Sequence, residues 1–167
     1  MRRGVCAVLV VALSGCAASE AEPEQIEASA PLAAPSTSGP SPEEEAVEVY
    51  LGMMGAVVEA SLDGDEDHPD LERYARGRAL ELTMAMLDGA KAMGEPVLRP
   101  EVTDVDLEAD PASIVVEDCM DNTEWVLEGH APRDKTEKNT RLYRATVIEV
   151  EQQWQVEDLW AGEPNAC

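Results

Sequence analysis

Residues 103–108 read Thr103-Asp104-Val105-Asp106-Leu107-Glu108, and at this stretch the hydrophobic repeat of the chain changes. Apolar or β-branched side chains alternate with acids, the repeat of a half-buried strand. Upstream the apolar residues recur at helical spacing; downstream they recur as strands. Helices first and strands afterwards is the pattern of an α+β domain. The expected architecture is N-terminal helices, one of them long and buried, packed on a curved antiparallel sheet of about four to six strands.

Working back from this point, Ser41-Pro42-Glu43-Glu44-Glu45 opens a helix. Ser41 caps it, proline suits the first turn, and the glutamates face the positive end of the helix dipole. From Ala46 to Leu62 the only strongly polar side chains are Glu48, Glu59 and Ser61. Such a helix is expected to be buried on most of its faces, and Gly64 suits the left-handed position that ends it. A short helix is expected from Pro69 to about Arg76, with Leu71 and Tyr74 pointing inward. A third spans roughly Arg78 to Met93, with Ala79, Thr83, Met86, Ala90 and Met93 as its apolar stripe, stopped by Gly94-Glu95-Pro96.

Working forward, Asp110-Pro111 turns the chain and Ile114-Val115-Val116 leads a strand to Cys119. Trp125 and Leu127 alternate with Val126 and Glu128. A polar loop covers Pro132 to Asn139. Leu142 to Val150 is a long strand rich in β-branched residues, and Trp154, Val156 and Trp160 lie on a last one.

The N-terminus has a different character. Arg2 and Arg3 precede the apolar run Val5 to Leu13, and Ser14 and Gly15 are small. That is a secretory signal layout, too short to span a bilayer permanently. Leu13-Ser14-Gly15-Cys16 resembles the lipobox of bacterial lipoproteins. The resemblance implies that residues 1–15 are removed and that Cys16 carries a diacylglyceryl anchor on the outer face of the cell membrane, stable where a single acyl chain is marginal. From Cys16 to Pro42 the chain is rich in Ala, Ser, Pro and Glu, with too few apolar side chains to offset ordering. This linker leaves residues 43–167 as one domain.

Past residue 15 the chain carries 10 Lys or Arg against 35 Asp or Glu. So acidic a chain is not expected to hold nucleic acid, and anionic lipid head groups repel it. With Cys6 in the signal and Cys16 lipidated, Cys119 and Cys167 remain, and an even pair in an oxidising compartment is expected to form a disulfide. It closes a loop of about 48 residues. A reactive thiol is the poorer reading, since Glu117, Asp118 and Asp121 beside Cys119 disfavour a thiolate.

Within 43–167, Gly64-Asp65 after the first helix, the strand Val116-Glu117-Asp118-Cys119-Met120-Asp121, and Trp154-Gln155-Val156 followed by a terminal cysteine resemble small secreted bacterial members of the NTF2-like, cystatin-like superfamily. The resemblance implies a cone, with the long helix across a curved sheet and a pocket at the wide end. The Tyr–Asp pair or His–Asp dyad of enzymatic members is not placed on a matching motif.

The remaining candidates are weak. Asp63, Asp65 and Asp67 hold the first three positions of a calcium loop, but His68 stands at the glycine position and Tyr74 at the glutamate position, so no metal site is assigned. His68 and His130 lack metal-ligand spacing and read as solvated loop residues. Ser113 has no nucleophile elbow. No catalytic residue and no cofactor are assigned. Tyr50, Met53, Met54, Trp125, Trp154 and Trp160 are candidates to line an apolar pocket, against the plainer reading that a chain without phenylalanine uses them as core. Arg133, Lys135, Lys138, Arg141 and Arg144 form a candidate basic docking edge, against the reading of a solvated hairpin loop. The expectation is therefore a membrane-anchored extracytoplasmic lipoprotein that binds a small apolar ligand or a protein partner without catalysis. The alternatives are an isomerase- or dehydratase-like enzyme using the cone pocket, and a structural domain that dimerises sheet to sheet.

Overall fold

The computed structural model describes residues 39–65, 68–128 and 139–167. Helix α1 runs Pro42–Asp63, α2 Leu71–Tyr74 and α3 Gly77–Leu87. Strands follow as β1 Ala92–Met93, β2 Pro100–Asp106, β3 Ser113–Asp121, β4 Val126–Leu127, β5 Thr140–Val150 and β6 Gln153–Pro164. The protein is α+β: helices packed on a four-stranded antiparallel sheet in the order β2-β3-β5-β6, with β1 and β4 forming a separate two-stranded ribbon.

Helix α1 begins as its sequence dictates. The Ser41 hydroxyl accepts from the Glu44 N–H at 3.2 Å, and the Glu44 carboxylate accepts from the Ser41 N–H at 2.8 Å, a complete capping box. It ends at Gly64, which is left-handed at φ 70°. Ala46, Tyr50, Met53 and Met54 pack in the core with the sheet, Ala56, Val57 and Ala60 pack with Leu71 of α2 and Leu87 of α3, and Glu44, Glu48, Leu51, Gly55 and Glu59 make an exposed stripe. Among the described residues no helix is long and apolar enough to cross a membrane.

Helix α3 is shorter than its apolar stripe predicts. It ends at Leu87, and Ala92 and Met93 leave it to pair with Leu127 and Val126. A partner more than thirty residues away in sequence overrides the local helical spacing. The opening stretch also departs from strict alternation. A bulge between Val102 and Asp104 shifts the register on β3, so Asp104 turns to the uncovered face and Val105 to the helix side. Strand β2 ends at Asp106, whose carboxylate accepts from the Glu108 and Ala109 N–H groups, and Leu107 falls in the turn that follows.

Strand β3 alternates cleanly. Ile114, Val116, Asp118 and Met120 are buried against the helices, and Val115, Glu117 and Cys119 look the other way. Strands β5 and β6 are joined through Glu151 and Gln152, both at positive φ, as a two-residue hairpin turn requires. Beyond β6, the chain entering α3 adds a further pairing. Ala75 bridges Val156 in parallel, and the Gln155 amide donates to the Glu72 and Arg73 carbonyls. Part of the β6 edge is thereby covered. The Cys119 and Cys167 sulfurs are 2.12 Å apart, with the Cα atoms at 5.9 Å, so the C-terminus is tied to β3.

A buried tyrosine–aspartate pair and an acidic groove

The polar centre of the core is Asp118. The alternation of β3 that buries Ile114, Val116 and Met120 carries Asp118 to the same face, where it is 0% exposed. A carboxylate there is costly unless both oxygens are satisfied. Both are. Oδ2 accepts from the Tyr50 hydroxyl at 3.0 Å, and Oδ1 accepts from the Arg99 backbone N–H at 2.8 Å. Tyr143 stands directly opposite on β5 and is also buried.

Burial raises the Asp118 pKa, while the Arg99 N–H and the Tyr50 hydroxyl hold it back. Burial likewise pushes the Tyr50 phenol far above the ordinary tyrosine range, and the Asp118 charge adds to it. Tyr143 is raised by burial and opposed by Arg141. A tyrosine donor and a carboxylate acceptor are thus brought together from α1 and β3. The alternation of β3 was the one sequence signal for Asp118. Its partner is 68 residues away, which no local motif encodes.

The six candidate pocket residues do not share one lining. Tyr50, Met53 and Met54 are closed off inside the core. Trp125 and Trp154 are half-buried and pack against the same core. The Trp125 indole N–H donates to Ser61 Oγ at 3.1 Å. Trp160 is 51% exposed and pairs with Arg144, on the side of the sheet away from the helices.

The candidate basic edge is also divided. Arg133, Lys135 and Lys138 lie outside the described residues, as do Cys16, Asp67 and His130. Arg144 is engaged by Glu117, with Nε and Nη2 at 2.7 Å and 2.5 Å from Oε1. Arg141 is half-buried beside Tyr143. His68, expected in solvent, has a side chain only 13% exposed, with Nε2 3.6 Å from a Glu59 oxygen and Nδ1 accepting from the Asp70 N–H. No group of three His, Cys, Asp or Glu suited to a metal is present among the described residues.

A groove of about 590 Å³ opens beside the first turns of α1, lined by Pro40, Glu43, Glu44, Val47, Glu48 and Val102. Its lining joins Pro40, Val47 and Val102 with three glutamates. Nothing in the sequence alone joined Val102 of β2 to the start of α1.

No protein-family profile and no curated protein sequence match the chain. Among solved structures, the crystal structure of the intermembrane space region of the chloroplast protein ARC6 is similar at a TM-score of 0.45 and 14% identity, covering 74% of this chain and 98% of that one. So distant a likeness says nothing of what this chain does.

Proposed function

We propose that the chain is a lipid-anchored extracytoplasmic lipoprotein whose folded part is an NTF2-like module that binds a protein partner and carries out no chemistry of its own. One observation carries the choice of a protein over a small ligand. Tyr50, Met53 and Met54, which would line the cone, are fully buried among the protein's own side chains. The surface features left for recognition are open ones: the groove at α1 and the outer edges of the sheet. The lipid anchor rests on Leu13-Ser14-Gly15-Cys16, and the Cys119–Cys167 disulfide fits an oxidising compartment.

Two measurements on the full chain test this reading. Metabolic labelling with a clickable fatty acid marks the wild type and not Cys16→Ala; equal labelling removes the anchor. A native mass spectrum of chain made in an oxidising host shows no mass beyond the protein and its covalent lipid, and a retained non-covalent small apolar molecule overturns the choice of a protein partner.

A small-molecule isomerase or dehydratase is the second reading, favoured by the Tyr50–Asp118 pair. A hydroxyl donor and a carboxylate 3.0 Å apart are the groups such proton transfers employ. Against it stands the closure of both groups from solvent. A retained carbonyl compound in the same spectrum would favour it.

A further inference from the structure

Strand β2 is one edge of the sheet, bonded to β3 on one side only. Among the described residues its outer backbone makes no hydrogen bond to any other segment. An unpaired edge is a template for another strand. The two faces of this edge differ. On the helix side lie Val102, which lines the groove with Val47, and Val105, which is 41% exposed. On the other side Glu101 and Asp104 are exposed, in register with Glu117 and Val115. Glu43 and Glu48 line the groove. None of Glu43, Glu48, Glu101 and Asp104 has an ion-pair partner among the described residues.

We propose that the β2 edge takes an extended basic segment of a partner protein as an added strand. This rests on the protein-binding reading above and names its surface. Side chains of a strand alternate between faces. Those turned to the helix side must be apolar to sit against Val47 and Val102, and those on the other side must be Lys or Arg to meet Glu101 and Asp104. The charge selects the occupant. A second copy of this chain would bring the same acids against themselves, and like charges opposed across a strand pair are destabilising. The acids therefore turn away self-pairing and acidic chains while admitting a basic one.

The test uses the processed chain, solubilised in detergent, and a labelled peptide of alternating lysine and valine, followed by fluorescence anisotropy at physiological salt. A fully N-methylated peptide of the same sequence keeps the charge and loses the backbone donors. The expected result is binding of the first peptide and binding about tenfold weaker or worse for the second. Glu101→Lys with Asp104→Lys weakens binding about tenfold, while Glu81→Lys with Glu95→Lys, the same charge change at exposed positions elsewhere, has a much smaller effect. Amide hydrogen exchange slows over Glu101–Asp106 when the peptide is bound. Equal binding of both peptides, or equal losses in both variants, would reduce the effect to net charge and overturn the proposal. A dimer of the chain that slows the same amides would overturn it in favour of self-association. Peptide bound with protection on another surface would remove β2 while leaving the protein-binding reading intact. A small molecule retained in the native mass spectrum removes that reading whatever the peptides do.

Discussion

The Tyr50 hydroxyl of α1 donates to the Asp118 carboxylate of β3 at 3.0 Å, with neither side chain open to solvent. Among the described residues it is the one direct side-chain hydrogen bond between the long helix and the central strands. A hydrogen bond to a charged group is worth about 1.5–3 kcal/mol, and removing one partner leaves the other buried and short of a donor. Tyr50→Phe keeps the ring and removes the donor, so it is expected to cost about 1.5–3 kcal/mol of unfolding free energy. Urea titration reads this as a lower midpoint with an unchanged slope. A variant as stable as wild type would mean that Asp118 is held by the Arg99 N–H alone.

Cys119 and Cys167 close a loop across 48 positions, and the bond ties the last residue of the chain to the middle of the sheet. On the chain-entropy account, closing a loop of that length in the unfolded state stabilises the fold by about 4 kcal/mol. Cys167→Ser, or reductant added to the wild type, is expected to lower the urea midpoint by a matching amount. Reductant should then leave Cys167→Ser unchanged. If it shifts that variant as well, the loss belongs to something other than this bond.

Gly94 follows β1 at φ 73°, and a Cβ built there would stand against the Glu124 carbonyl oxygen. Both the left-handed backbone and the contact forbid a side chain. Because the obstacle is backbone, it cannot turn aside. Gly94→Ala is expected to cost about 1–3 kcal/mol, with hydrogen exchange rising first over β1 and β4. A uniform rise across the sheet would mean that the ribbon unfolds only with the whole domain.

The parts of this fold legible in the sequence are those written by near neighbours. Ser41, Glu44 and Gly64 mark both ends of α1, and the caps formed as their chemistry requires. The β-branched run Ile114-Val115-Val116 marks β3 as a strand, while which of its faces is buried emerges only from the fold. What local pattern could not carry was pairing at a distance. Ala92 and Met93 fall within the helix expected to Met93, yet their backbone pairs with Leu127 and Val126. Asp118 read as a neighbour of Cys119 and not as a core residue, because its burial makes sense only once Tyr50 is beside it. The bulge after Val102 was hidden by the regular alternation of Thr103 to Glu108, which continues where the strand does not.

Asp118 also gives the fold a pH dependence of defined sign. Its pKa in the folded protein is raised, chiefly by burial, above an unfolded value of about 3.9. Between the two values the folded state binds more protons than the unfolded one. Stability from this group is therefore fully present below about pH 3.9 and is lost as pH rises through the folded pKa. The many other acids of the chain titrate in the same range, so the useful quantity is a difference. Asp118→Asn keeps the shape and an acceptor for the Arg99 N–H but does not titrate. Relative to wild type, Asp118→Asn should gain stability as pH rises from about 4, and the gain should level off once Asp118 is ionised. A difference that stays constant across that range would mean that Asp118 has the same affinity for its proton folded and unfolded. At the alkaline end Tyr50 supplies the counterpart. Its pKa is raised, so above about pH 10 unfolded tyrosine ionises while Tyr50 holds its proton, and wild type should lose stability there. Tyr50→Phe should lose less over the same interval, since it has one buried phenol fewer to keep neutral.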